Sequence, residues 1–90
     1  MGVIERYSLT TTATAVDLSR ASRVLIRVSG DNVRVGYDNQ DVGDTVLNYF
    51  TIPDGTMIVL DPPNEVNALL YFRAESGTAT LEVWKQGALY

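Results

Sequence analysis

Two stretches decide the fold: RVLIRVSGDNVRVGYD at residues 23–38 and ALLYFRAESGTATLEVWK at residues 68–85. Each contains two runs rich in valine, leucine, isoleucine and aromatic residues, and a glycine-containing turn separates the two runs. Apolar and polar residues alternate along much of each run, which is the period of a half-buried β-strand. Both stretches therefore predict strand, turn and strand.

We expect each stretch to form a hairpin, with Gly30-Asp31 and Ser76-Gly77 as two-residue loops. In these registers one face of each hairpin is apolar at every pair, and we expect that face to be buried. The predicted buried pairs are Val28 with Val33, Ile26 with Val35, Val24 with Tyr37, Ala74 with Ala79, Phe72 with Leu81, and Leu70 with Val83.

The rest of the chain continues as short apolar runs between turns, and no window of 11 or more residues has the spacing of an amphipathic helix. The predicted strands cover residues 3–9, 11–18, 23–29, 33–37, 46–52, 56–60, 68–74 and 78–85. We predict a single all-β domain over residues 1–90, an antiparallel β-sandwich of about eight short strands that is jelly-roll-like. An open small barrel is the alternative. Residues 1–10 are either the first strand or an extended N-terminal arm.

Composition argues against several classes of function. The 90 residues include no histidine and no cysteine, and the formal net charge is −4. Histidine-based and cysteine-based catalysis and metal binding are therefore excluded, and the acidic charge argues against direct binding to nucleic acid. No apolar run approaches the roughly 18 residues of a membrane span. We expect no catalytic residue, no cofactor, no nucleic-acid partner and no membrane partner.

Two groups of acidic residues are the only candidates for chemistry. The stretch DNQDVGD at 38–44 resembles part of a calcium loop, but its oxygen ligands do not alternate and no bidentate glutamate follows at the required distance. Asp61 with Glu65, or Asp54 with Asp61, could form a carboxylate pair as in a glycosidase. These acids lie in or beside turns, where they are usually solvated. We expect neither a metal site nor a catalytic pair.

Three arginines form the first candidate protein interface. In the predicted first hairpin Arg27 lies opposite Arg34, with Arg23 further along the same face, and like charges across a strand pair are destabilising. This face therefore needs an acidic neighbour. Acids of the same chain, such as Asp17 or Asp31, are one source, and a salt bridge to another protein chain is the other.

Leu69, Tyr71 and Trp84 form the second candidate interface, on the outer face of the predicted second hairpin. Tryptophan, tyrosine and arginine contribute most to binding at protein interfaces. Packing under a neighbouring loop is the alternative, but a chain of 90 residues has few loops to cover such a face. A small domain without disulfides or metal is also marginally stable alone, so we expect an oligomer or a bound state.

The segments at 17–19 and 24–38, the IPDGT turn at 52–56 and the closing stretch at 70–84 resemble small all-β structural proteins of tailed bacteriophages. The resemblance covers residues 17–84 and includes no catalytic motif. It implies a virion protein that decorates or cements the capsid, often as a homotrimer at junctions of the major capsid protein. The implied partners are the major capsid protein and further copies of the chain, and the implied location is the capsid exterior, after assembly in the host cytoplasm.

Two alternatives to capsid decoration are open. A tail, fibre or head-tail connector subunit belongs to the same broad class of structural proteins. A carbohydrate-binding or adhesion module is a different class, in which Trp84 and Tyr71 would stack on a sugar ring.

Overall fold

The computed structural model describes residues 2–61 and 68–87 and is all-β over that part of the chain. It contains eight strands. They are β1 (Gly2–Leu9), β2 (Thr14–Asp17), β3 (Arg23–Ser29), β4 (Val33–Gly36), β5 (Phe50–Ile52), β6 (Met57–Leu60), β7 (Leu69–Ala74) and β8 (Ala79–Gln86). Within the described ranges there is no helix long and apolar enough to cross a membrane.

The predicted strands are confirmed, each within a few residues of its expected bounds. The largest difference concerns β5, which begins at Phe50 and not at Val46. The residues before it, 37–49, form a loop of turns. The first strand, Gly2–Leu9, pairs with β8 along its whole length. Residues 2–9 therefore belong to a sheet and do not form the arm that was the alternative expectation.

The strands form two antiparallel sheets of four. Sheet A has the order β1-β8-β3-β6, and sheet B has the order β2-β7-β4-β5. The pairing is nested, because β1 pairs with β8, β2 with β7, β3 with β6 and β4 with β5. Consecutive strands along the chain therefore alternate between the sheets, except for β4 and β5, which are neighbours in sheet B.

The two predicted hairpins are wrong. β3 lies in sheet A and β4 in sheet B, and the same separation holds for β7 in sheet B and β8 in sheet A. The turns at 30–32 and 75–78 connect one sheet to the other. Most of the residues expected on the buried faces do face the core, since Val28, Val33, Phe72 and Leu81 are fully buried. Tyr37 is the exception, with 82% of its surface exposed.

The core lies between the inner faces of the two sheets, in a sandwich-like arrangement. Inward-facing residues of both sheets form one cluster. From sheet A it includes Leu9, Val24, Ile26, Val28, Leu81 and Val83, and from sheet B Val16, Val33, Ile52, Phe72 and Ala74. Alternation along each strand sends every second side chain into this layer, which is the reason for the period of two in the sequence.

One side of the sandwich, where β1 and β2 are the edge strands, is closed by a polar cluster. We call this side the closed edge. The Lys85 ammonium, 5% exposed as a residue, pairs with the Glu5 carboxylate at 2.8 Å. The Tyr7 hydroxyl donates to the same carboxylate at 2.7 Å. Burial and the neighbouring Glu5 raise the pKa of Tyr7 to about 12, and the hydrogen bond with Lys85 lowers the pKa of Glu5.

Candidate interaction surface

The outer face of sheet A carries an apolar row that crosses all four strands. Ile4 of β1 pairs with Trp84 of β8, Trp84 pairs with Leu25 of β3, and Leu25 pairs with Val59 of β6. We call these four residues the outer row. Ile4 is 68% exposed, Val59 53% and Trp84 44%. A groove of about 370 Å³ runs beside the row, bounded also by Met57.

Charged residues lie on both sides of the outer row. On one side the next row contains Arg6, Glu82 and Arg27 in register. The Arg6 guanidinium donates to the Glu82 carboxylate at 2.7 Å, which lowers the pKa of that carboxyl, and Arg27 lies 3.9 Å from the same group. On the other side Arg23 lies 3.8 Å from the highly exposed Asp61. Such exposed pairs contribute little to stability.

The outer face of sheet B differs, because the loop of residues 37–49 covers part of it. Arg34 of β4 is only 8% exposed and donates to the carbonyls of Val42 and Gly43 and to the Asp44 carboxylate. The Tyr49 ring lies over the guanidinium, 4.5 Å from its centre. Hydrogen bonding to Arg34 lowers the pKa of Asp44. The arginine therefore holds the loop against the sheet.

Gly36 allows the loop to approach sheet B closely. A Cβ at this position would lie 3.1 Å from the Asp41 Cβ and 3.2 Å from a Val42 methyl group. Val42 is fully buried, although it lies outside the core cluster between the sheets. Its side chain makes a second, small apolar contact, which lies on the outer side of β4. The loop is thus packed onto the sheet by one valine and one arginine.

The predicted arginine set does not form one patch. Arg23 and Arg27 lie on the outer face of sheet A, whereas Arg34 lies on the outer face of sheet B. The residue opposite Arg34 in the adjacent strand is Arg73, and the residue opposite Arg27 is Glu82. The acidic neighbour that this pattern required comes from the same chain in each case. A role of these arginines in a protein interface stays a prediction.

The predicted apolar set is separated in the same way. Leu69 and Tyr71 lie on the outer face of sheet B, where they pair with Asp17 and Ala15 of β2. Trp84 lies on the outer face of sheet A. The three residues therefore belong to two opposite surfaces, and only Trp84 is part of the outer row.

The acids expected beside the arginines, Asp31 and Asp17, and Asp54 of the carboxylate pairs all accept hydrogen bonds from turn backbone. Asp31 accepts hydrogen bonds from the backbone of Asn32, Ser76 and Gly77, which lowers its pKa, and Asp17 caps the backbone of Ser19. Neither acid is the partner of an interface arginine. Asp54 accepts from Gly30.

The acidic residues of the 37–49 loop also lie in turns or bends. Asp38 accepts from the backbone N–H of Gln40, as expected of a solvated turn. No cluster of acids suited to a metal ion occurs among residues 2–61 and 68–87. Glu65 lies outside the described residues.

The side of the sandwich opposite the closed edge, where β5 and β6 are the edge strands, is open. We call it the open edge. A cavity of about 400 Å³ lies between the two sheets at this edge. Its lining includes inward-facing residues such as Val35, Ile58 and Leu70 and the aromatic rings of Tyr37 and Phe50. Phe50 is 66% exposed although it pairs with the inward-facing Val35. Among the residues that the structure describes, none of those lining this cavity is charged.

Sequence reasoning missed Ile4, Leu25, Val59 and Met57 on the outer face. A signal for them exists, because each is an apolar residue directly beside an inward-facing apolar residue. Leu25 lies between Val24 and Ile26, and the MIVL run of β6 is apolar at four consecutive positions. Such positions interrupt the alternation of apolar and polar residues that is expected of a strand with one face in solvent.

No protein-family model, no curated protein and no solved structure matches this chain.

Proposed function

We propose that the protein is a non-enzymatic structural subunit that binds a neighbouring protein through the outer face of sheet A. The observation that supports this most strongly is the outer row. Four apolar side chains lie in register across the whole sheet and three of them are substantially exposed. Contiguous apolar patches on small domains mark interaction sites, and tryptophan is the residue most often found at the energetic centre of an interface.

The charges around the outer row favour an acidic partner surface. Arg6, Arg23 and Arg27 carry three positive charges, and Glu82 and Asp61 carry two negative ones, so this face has a local charge of +1. The whole chain has a formal net charge of −4. Complementary charge improves the rate and specificity of association more than the affinity, so we assign the affinity to the apolar row and the orientation to the arginines.

The resemblance to tailed-phage structural proteins suggests which assembly this is. We propose a virion protein of the capsid decoration type, which bridges major capsid proteins on the head exterior. The nested strand pairing supports this proposal, since it is the order expected of a jelly roll, a fold common among capsid proteins. A tail, fibre or connector subunit would use the same kind of surface.

A carbohydrate-binding role has less support. It required Trp84 and Tyr71 on one platform, and these residues lie on the outer faces of different sheets. A single exposed tryptophan among arginines and aliphatic side chains suits a protein partner better than a sugar ring.

The proposal is tested by substitutions within strand β3. Leu25→Asp places a charge in the outer row, whereas Ser29→Asp places the same charge on the same face of the same strand, in the polar row of Ser8 and Thr80. We expect Leu25→Asp to lower co-sedimentation with capsids of the parent phage at least about tenfold. We expect Ser29→Asp to bind like the wild type.

Two further measurements make this test decisive. Ile4→Asp introduces the same charge at a position that is 68% exposed, so this change should not unfold the protein. The melting temperature of each variant is measured before binding. Equal binding of Leu25→Asp, Ile4→Asp and the wild type would contradict the role of the outer row. Wild-type protein that sediments with tails and not with capsids would contradict decoration and favour the tail alternative. Its absence from purified virions would contradict both.

A further inference from the structure

The four sheet edges of this domain differ in how they are protected against pairing with other chains. Natural proteins protect edges with charges, proline or short length. β1 carries Glu5 and Arg6, β2 carries Asp17, and β5 is three residues long and followed by Pro53. β6, with the sequence MIVL, has no charged residue and no proline among its own four residues, although Asp61, Pro62 and Pro63 follow it directly.

The backbone of β6 presents free hydrogen-bonding groups at two positions. The N–H of Val28 donates to the Thr56 carbonyl at 3.1 Å, so the even-numbered residues of this segment face β3. In an antiparallel pair, successive residues point their backbone N–H and C=O groups alternately toward the partner strand and away from it. Ile58 therefore bonds β3, whereas the N–H and C=O groups of Met57 and Val59 point away from the sheet, where the described chain places no further strand.

The open edge lies directly beside these groups. Ile58 and Val59 line its cavity, and Phe50 and Tyr37 expose their rings at its mouth. None of the described residues that line the cavity is charged, and neither is any of the four residues of β6. An occupant of this edge must therefore supply both backbone hydrogen bonds and uncharged apolar surface.

We propose that the occupant is a second copy of this chain, whose β6 pairs antiparallel with β6 across a two-fold axis at Ile58. Met57 of each copy then lies opposite Val59 of the other, and both residues exchange their free N–H and C=O groups with their opposite. This register is self-complementary, as a two-fold interface requires. Sheet A becomes continuous between the copies, and the two open edges close against each other.

The backbone pattern of β6 favours a second copy, because an antiparallel pair of identical strands centred on Ile58 matches every free N–H with a free C=O. The formal net charge of −4 on each copy opposes self-association, so the contact surface must be one without charge. The described residues of the open edge form such a surface, whereas the outer face of sheet A carries arginines such as Arg6 and Arg23. The inference is independent of the proposed partner of the outer row. It also implies pairs of subunits and not the trimer implied by the family resemblance.

Val59→Pro tests the backbone pairing. Proline removes the N–H at position 59, which β3 does not use, and it is tolerated on edge strands. Val59→Thr is the matched control, because threonine keeps the N–H and the β-branched shape. By sedimentation equilibrium we expect the wild type and Val59→Thr to form dimers. Val59→Pro should raise the dimer dissociation constant about thirtyfold, since two hydrogen bonds are lost in each dimer.

A cysteine test reports the register without depending on stability. Ile58 of one copy should face Ile58 of the other as a non-hydrogen-bonded pair, with Cα atoms about 4.5 Å apart, which is within the range of a disulfide. Met57 should lie diagonally from its counterpart, at about 8 Å, which is too far. Because the chain has no cysteine of its own, mild oxidation should cross-link Ile58→Cys and leave Met57→Cys monomeric.

Each result distinguishes the inference from its rivals. A wild-type monomer at the highest soluble concentration, a trimer, or equal dimerisation of Val59→Pro and Val59→Thr would overturn it. Cross-linking of Met57→Cys as efficiently as Ile58→Cys would overturn the register. Leu25→Asp, which tests the outer row, should leave the dimer intact, so that failure of one proposal is separate from failure of the other.

Discussion

The closed and open edges of the sandwich differ in the side chains that lie between the two sheets. At the closed edge Leu9 and Val16 are almost fully buried, and Lys85, Glu5 and Tyr7 fill the gap with a hydrogen-bonded ion pair. At the open edge Ile52 is fully buried, but Ile58 and Leu60 are only partly buried and Phe50 is exposed. Polar side chains therefore fill the gap between the sheets at one edge, whereas apolar side chains leave it partly open at the other.

The two edges differ in the lengths of their edge strands. At the closed edge β1 is eight residues long and faces the four-residue β2 of the other sheet. At the open edge β6 faces a β5 of only three residues. The preceding loop could have extended that side, but Arg34 and Val42 hold it on the outer face of sheet B. One edge is complete within the chain, whereas the other leaves apolar surface for a neighbour.

Equal truncations at the two edges should have unequal effects. Leu9→Ala removes a side chain that is 1% exposed, and we expect it to lower the free energy of unfolding by about 3 kcal/mol. Leu60→Ala removes a partly buried side chain at the open edge, and we expect a loss of about 1 kcal/mol. Urea unfolding at low protein concentration measures both. Equal losses would show that the two edges are equally covered.

Tyr7→Phe tests the polar closure of the closed edge. We expect a loss of about 1 kcal/mol at neutral pH, because the hydrogen bond to Glu5 is removed. The pKa of Tyr7 is raised to about 12, so the wild type has this stabilising contribution in full below the ordinary tyrosine pKa of about 10. It should be lost as the pH rises from about 10 to about 12. Denaturant titrations across this range should show a flatter pH dependence for Tyr7→Phe, and parallel curves would contradict the assignment.

Phe50→Ser should have the smallest effect. The ring is 66% exposed in the single chain, so we expect the free energy of unfolding of the monomer to change by no more than about 0.5 kcal/mol. The same change should weaken the proposed dimer, in which the ring is covered. A large loss in the monomer, measured at a concentration where no dimer forms, would show that the open edge is already closed within one chain.

Local patterns were enough to predict the strands but not their partners. β3 was predicted at its observed bounds because apolar residues alternate along it and turn residues border it. The hairpin registers were wrong because Val28 and Val33 face the core whether their strands are neighbours in one sheet or lie in opposite sheets. Alternation specifies the face of a strand, and it carries no information about which strand lies beside it.

The candidate surface was predictable only in part for the same reason. Trp84 was identified by residue type, whereas Ile4, Leu25 and Val59 become a row only when the registers of β1, β3 and β6 are known. Grouping Tyr71 with Trp84 and Arg34 with Arg27 followed directly from the incorrect hairpins. Long-range pairing decides which outward-facing residues share a surface.

The nested pairing also constrains when this domain can fold during its synthesis. β8 is an interior strand of sheet A and bonds both β1 and β3. Until residues 79–86 have been translated, β1 has no partner in its sheet and β3 has only β6. A nascent polypeptide that stops at residue 78 would therefore expose the inner face of sheet A to chaperones and proteases, whereas one that extends beyond β8 can complete both sheets at once.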